Sequence, residues 1–444
     1  MIAKISESFL VISIIISIST IYSYLNDLPN FNNLLITNII TLAFPILYTL
    51  SRAYNSISSF ISRLISKDRL VFRDPKRIFR VSQGSFLAFI AIIWLMFGVI
   101  ASIPFYLKTG KIVDSLFESF SAITTSGFSV IEDELEDDLL IYRALLQWIG
   151  GLGVTSFIFT VLRGISGKYL ANNIGIEQNY VDSFRSILII YLTFTLIIII
   201  LLIITGLDYL NAFLLSLTTT SNGGFPAKSN DLNLIQKYIM GLGMLAMSIS
   251  LPIYLGRGDL KLVGMYILYL IMVMILSHIT GMESNDAILF TLTTSTSGGY
   301  SYVSPNLNDL QIMIFSIVML IGGMTISTAG GIKINRIFEI IKTIRYYVYS
   351  KLYGAKFKIV NEPVLILILF ANLYIFTFIA HLIEGFNIRE SMFNSASVVG
   401  NCGYSLLDYR NTSDIFKLYI IIVMYLARIE IIPIIVLGFK LLNR

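Results

Sequence analysis

Long apolar runs alternate with short polar ones along the whole chain. The runs at 8–28, 34–51, 84–106, 141–163, 184–206, 236–255, 261–280, 309–326, 334–351, 363–384 and 414–440 read as spans of a layer about 30 Å thick. The first lacks a small-residue cleavage site and a second follows closely, so it reads as a retained span rather than a signal peptide. The run 334–351 carries Arg336, Lys342 and Arg345, which predicts a helix extending partly into the cytoplasm.

Composition sharpens this picture. Of 444 residues, 56% are hydrophobic and 13% charged, against roughly 25% charged in soluble domains, and the mean hydropathy is +0.79. The pattern predicts an all-α polytopic membrane protein. A net charge of +5 does not indicate a nucleic-acid partner, because the basic residues fall in loops between alternate spans. The densest cluster is Arg52, Arg63, Lys67, Arg69, Arg73, Lys76, Arg77 and Arg80. Arg163, Lys168, Arg257, Lys261, Lys351, Lys356, Lys358, Lys440 and Arg444 are expected on the same, cytoplasmic side. The acidic run EDELEDD, 132–138, lies opposite and reads as a solvated loop or a cation-attracting vestibule. The single cysteine, Cys402, excludes an internal disulfide framework, and His278 and His381 stand alone.

Four segments between spans are too long for tight turns and too polar for spans. They are DSLFESFSAITTSGF (114–128), NAFLLSLTTTSNGGF (211–225), DAILFTLTTSTSGGY (286–300) and ESMFNSASVVGNCGY (390–404), and they align over fifteen columns. Column one holds Asp114, Asn211, Asp286 and Glu390, residues suited to capping or charging a helix N-terminus. Column fourteen is always glycine, Gly127, Gly224, Gly299 and Gly403, and column fifteen always aromatic, Phe128, Phe225, Tyr300 and Tyr404. This internal repeat reads as span, short helix, glycine-tipped strand, span.

With the basic loops inside, all four short segments enter and leave on the outer side. Non-helical backbone at membrane depth is tolerated only where it lines water or is buried in protein. Four such strands around one axis suit a cation filter. Glycine permits positive φ, so carbonyls can face the axis and replace the hydration shell of a monovalent ion. The expected ion-binding residues are Thr124, Thr125, Ser126 and Gly127; Ser221, Asn222, Gly223 and Gly224; Thr296, Ser297, Gly298 and Gly299; and Gly400, Asn401, Cys402 and Gly403. The competing reading is that these small and hydroxyl residues merely mediate helix packing, and four co-registered copies argue against it.

Two further motifs interrupt apolar runs. IGGMTISTAGGIKINR, 321–336, breaks a would-be helix with glycines just below the expected filter, and reads as a kink or a gate built from Thr325, Ile326, Ser327, Thr328, Ala329, Gly330, Gly331 and Lys333. ARIEIIP, 427–433, puts Arg428 and Glu430 deep in the last span. Two residues apart, they cannot share one helical face, so each faces the pore or an ion-pair partner on another helix. No nucleophile–base pair or metal cluster supports an enzyme.

LFESFSAITTSGF, RALLQWIGGLG (143–153), STAGGIK (327–333) and ARIEI (427–431) resemble the hallmarks of the Trk/Ktr/HKT superfamily of potassium transporters, TrkH-like membrane subunits in particular. The likeness runs from Gly84 to the last residue. It implies four span–pore loop–span repeats around a central pore, at 84–163, 184–255, 261–351 and 363–444, after an N-terminal helix pair and basic linker at 1–83. It also implies potassium as the transported ion at the filter, a gate at STAGGIK with Arg428 near it, and a multi-pass protein of the plasma membrane. A homodimer regulated by a cytosolic nucleotide-binding subunit of the TrkA type follows from the same resemblance, and Gly127 favours potassium over sodium. A sodium- or proton-coupled cation symporter, using carboxylates such as Glu118, is the alternative. Two departures stand out. Columns twelve and thirteen differ among repeats (Thr125-Ser126, Asn222-Gly223, Ser297-Gly298, Asn401-Cys402), which predicts looser selectivity, and the linker GRGDLK is short.

Overall fold

The computed structural model describes residues 2–43, 45–46, 49, 83–131, 135–165, 180–228, 232–300, 306–353 and 361–430. The basic cluster at 52–80, Lys168, Lys356, Lys358, Lys440, Arg444, residues 132–134 of the acidic run and the last span beyond Glu430 lie outside the described residues.

Among the described residues, four helices are long and apolar enough to cross a membrane: Ala91–Thr109, Arg185–Ile204, Leu260–Ile279 and Pro363–Glu384. These are the outer helices of the four repeats. Each is followed by a short helix, Ile112–Ile123, Tyr209–Thr220, Ser284–Ser295 and Ile388–Gly400, here called the pore helices. An inner helix then follows in each case: Asp137–Ile165, Leu234–Ser248, Asp309–Leu320 and Asp414–Arg428. The N-terminal pair, Ile2–Leu25 and Phe31–Ala43, docks on the first repeat. Ser23 Oγ donates to Asp138 (2.7 Å), and Asn30 Nδ2 donates to Asp138 (2.9 Å) and Glu136 (2.7 Å).

The pore helices begin two residues before column one. Their N-caps are Lys111, Asp208, Glu283 and Asn387, so Asp114, Asn211, Asp286 and Glu390 occupy the third helical position. Asn387 and Glu390 form a reciprocal capping box, and Asp208 accepts from the Asn211 N–H. Column one therefore lies within the first turn rather than at the N-cap, and carries a charge there in three of the four repeats.

Three predicted spans are shorter as helices than the hydrophobic pattern suggests, and one segment explains two of them. The helix in 236–255 stops at Ser248, because the Met247 and Ser248 carbonyls accept from Thr328 N–H (3.2 Å) and Met324 N–H (2.8 Å), while Leu251 N–H donates to Ile326 O. The helix in 309–326 stops at Leu320, where the strand β1, Ile321–Gly322, pairs in parallel with β2, Ile332–Lys333. The third, in 414–440, stops at Arg428, and Glu430 has φ +57°. Hydrophobicity predicts burial well, but past the first two of these ends the backbone is satisfied by the loop between β1 and β2 and by the pairing of those strands rather than by its own next turn.

Candidate functional site: a ring of four strands and the loop beneath it

Every pore helix ends in the same backbone turn. The column-twelve residues Thr125, Asn222, Ser297 and Asn401 have φ of +52°, +53°, +57° and +49°. The column-fourteen glycines Gly127, Gly224, Gly299 and Gly403 have φ of +80°, +77°, +58° and +86°. Positive, negative, positive φ thus recurs four times over columns twelve to fourteen. Asparagine tolerates the first left-handed position; the β-branched Thr125 holds it only because its surroundings fix it.

The glycines also reveal how the strands are arranged. A methyl group on Gly127 would strike the carbonyl of Gly223, one on Gly224 that of Gly298, one on Gly299 that of Cys402, and one on Gly403 that of Ser126. The contacts run from repeat one to two, two to three, three to four and four back to one, so the strands close a ring. The expected filter residues come together in it, and Thr124, Thr125, Ser126, Ser221, Asn222, Thr296, Ser297, Asn401 and Cys402 are fully buried.

The differences at column thirteen have a packing origin. A side chain on Gly223 would meet Gln147, whose Nε2 donates to the Gly223 carbonyl at 2.6 Å, and one on Gly298 would meet Met244. In the other two repeats Ser126 Oγ accepts from Asn401 Nδ2 (2.8 Å), and Cys402 is buried beside the Thr293 and Thr294 carbonyls. The inner-helix side chain thus dictates whether the strand can carry one.

Column-fifteen aromatics brace the ring from behind. Tyr300 reaches the second pore helix, its hydroxyl bonding Thr218, Thr219 (3.1 Å) and the Leu215 carbonyl (3.3 Å). Tyr404 packs edge-on against Phe290 of the third pore helix, and Phe128 against Tyr409. Phe225 lies over the guanidinium of Arg143 at 4.2 Å.

The expected gate residues run from the loop between β1 and β2, which holds 325–331, into β2, which holds Lys333, against the inner ends of three strands. Thr328 Oγ1 accepts from Asn222 Nδ2 at 3.0 Å and lies 3.2 Å from the Thr220 carbonyl. Gly330 N–H donates to Ser297 Oγ, and Gly330 packs against the Gly400 carbonyl. Thr325 N–H donates to Asn335 Oδ1 (3.2 Å), Ser327 Oγ donates to Met324 O (2.6 Å), Ala329 O accepts from Lys333 Nζ, and Ile326 and Gly331 take positive φ. Arg428 Nη2 donates to Thr328 O at 2.9 Å, while Glu430 pairs with Arg336 at 2.6 Å. Glu430 thus has an ion-pair partner on another helix, whereas Arg428 bonds a loop carbonyl: the helix ends between them, so they turn to different partners. Three buried cationic side chains, Lys333, Arg336 and Arg428, gather beside the one carboxylate of Glu430.

Sequence reasoning missed Arg143, Gln147 and Asn394. Arg143 pairs with Glu118 at 2.9 Å with both side chains buried, and a charge inside a membrane helix was itself the available signal. Gln147 and Asn394 carried no comparable mark.

The fold and ring define a polytopic helical membrane protein built on four pore-helix segments. Similarity to known proteins narrows the class. The chain belongs to the TrkH family of cation transport proteins, whose model matches residues 52–256 and 260–444. It is 28% identical over 381 residues to an uncharacterised cation transporter of Methanocaldococcus jannaschii, covering 78% of this chain and 80% of that one. It is 24% identical over 459 residues to the Trk system potassium uptake protein TrkH of Halomonas elongata, covering 90% and 95%. The crystal structure of the potassium transporter TrkH from Vibrio parahaemolyticus superposes with a TM-score of 0.80 at 18% identity, over 98% of this chain and 97% of that one, a likeness of fold.

Proposed function

We propose that the protein takes up potassium across the plasma membrane through a channel-like pore. The ring of four strands is its selectivity filter and the loop 325–333 its gate. The observation that carries this reading is the closed sequence of glycine-to-carbonyl contacts, which places equivalent backbone of all four repeats around one axis. Backbone carbonyls in such a ring can replace the hydration shell of a monovalent cation. The loop lies against three of the four strands, and the buried guanidinium of Arg428, bonded to its Thr328 carbonyl, would repel an ion arriving at the inner mouth. Relatives named for the Trk potassium uptake system support potassium as the ion. The same relationship supports a homodimer working with a cytosolic nucleotide-binding subunit of the TrkA type.

Coupled symport is less favoured. The carboxylates it would draw on are engaged, Glu118 by Arg143 and Glu430 by Arg336. Purified protein in liposomes should pass potassium and rubidium in preference to sodium without a second ion gradient. Equal sodium and potassium fluxes would overturn the filter assignment, and flux requiring a sodium or proton gradient would restore the symporter.

A further inference from the structure

Just beyond the glycines, the strands leave the ring through a set of tethers that differ from repeat to repeat. In repeat one the column-five residue of the pore helix is Glu118. It accepts from Ser129 Oγ (2.9 and 3.0 Å), from Val130 N–H (3.1 Å) and from Arg143 Nη1 (2.9 Å), at zero exposure. Ser129 and Val130 follow Gly127 by two and three residues. In repeat four, column five is Asn394, and its Oδ1 accepts from the equivalent pair, Ser405 Oγ (2.7 Å) and Leu406 N–H (3.0 Å). A carboxyl group and an amide thus accept the same two bonds at the same place in two adjacent repeats.

Repeat two cannot copy them. Its column-five residue is the apolar Leu215, and the place of Ser129 and Ser405 is taken by Pro226, which has no hydroxyl to donate. Arg143 supplies the substitute. Its Nη2 donates to the Pro226 carbonyl at 3.4 Å and its guanidinium lies beneath the Phe225 ring. One ion pair therefore ties the exits of strands one and two together. Strand three is held at its column-fifteen residue, Tyr300, whose hydroxyl bonds the second pore helix.

We propose that Glu118, Arg143 and Asn394 are positioning residues for ion discrimination. They fix the outer ends of strands one, two and four, so that the ring cannot contract around an ion smaller than its preferred one. The idea rests on reading the ring as a selectivity filter. It explains why repeat one alone needs a carboxylate: only there must the acceptor hold two donors of its own strand and also orient a cation that serves its neighbour. The energetic reason is the usual one for a buried donor or acceptor, which keeps its partner because leaving it unmade is far more costly than the bond is stabilising.

The test is sodium against rubidium flux in liposomes for Ser129→Ala, Ser405→Ala, Arg143→Lys and Glu118→Gln. The two serine variants leave the buried ion pair in place, so they remain informative if the charge variants fail to fold. Sodium passage relative to rubidium should rise on the order of two- to tenfold in each serine variant, the range one net hydrogen bond spans. Ser129→Thr, which keeps the hydroxyl, should restore the native ratio. Thermal stability measured in parallel separates positioning from scaffolding: a lower melting temperature with an unchanged flux ratio would overturn the proposal. If the unaltered protein itself fails to discriminate, the filter reading falls first and the proposal with it. A selective parent with indifferent serine variants sinks the brace alone.

Discussion

Replacing Gly224 by alanine combines two separable effects. The first is conformational: φ is +77°, and left-handed backbone costs an alanine about 1–2 kcal/mol. The second is steric, since the new methyl group would strike the Gly298 carbonyl of the next repeat. Restoring an ordinary contact requires a relative shift of roughly 1 Å in an interior packed as tightly as a crystal. Gly206, in the turn before the same pore helix, isolates the first effect. Its φ is +89° and nothing lies within 4 Å of a methyl group placed there. Both variants should lose comparable conformational stability, but only Gly224→Ala should disturb the ring. Rubidium and sodium fluxes in liposomes, normalised to inserted protein, provide the comparison. We expect Gly206→Ala to conduct and discriminate normally. Gly224→Ala should lose about tenfold or more in rubidium flux or in the rubidium-to-sodium ratio, equivalent to about 1.4 kcal/mol at one ion position. Indistinguishable flux from the two variants would refute the reasoning.

Other consequences are open to measurement. Thr328→Val removes the acceptor that Asn222 uses to hold the loop, and should raise flux two- to tenfold, the span of a net bond of about 0.5–1.5 kcal/mol; deleting 325–331 should raise it further, and unchanged rates would deny the loop a gating role. Glu430→Gln strips Arg336 of a buried counter-charge and should lower stability by about 3–5 kcal/mol in a detergent melt, with Glu430→Leu plus Arg336→Met recovering most of the loss. Outside the membrane, burial raises the Glu136 carboxyl pKa, but the Lys108 and Asn30 bonds outweigh it and leave the value below normal. A depressed carboxylate contributes stability above its ordinary value of about 4.5 and loses it as pH falls through the folded value. Hydrogen-exchange protection in the N-terminal pair, taken relative to the intrinsic exchange rate at each pH, should therefore fall on acidification, and Lys108→Met should weaken that dependence.

Much of this architecture was legible because the repeat carries its signal four times. One SLTTTSNGGF, 216–225, resembles a misplaced loop; four aligned copies identify a common backbone turn, and the column-fourteen glycines mark where φ is positive. Column twelve was opaque, since threonine, asparagine and serine share no preference strong enough to announce a left-handed residue. Helix ends at Ser248 and Leu320 were hidden for another reason. Apolar composition reports burial, and the partners that replace the helical bonds lie some 75 residues away in sequence for Ser248. The pairing of Glu118 with Arg143 needed three dimensions, although each residue alone was conspicuous in an apolar context.

Because the loop belongs to repeat three alone, a gate built from it, as proposed above, would break the symmetry of the ring. A pore assembled from four identical subunits can open in stages, one subunit at a time. Here a single hinged segment would swing, and its withdrawal frees Asn222, Ser297 and Gly400 together. Current through one pore should then step between shut and fully open with no ladder of partial levels, like a door rather than an iris.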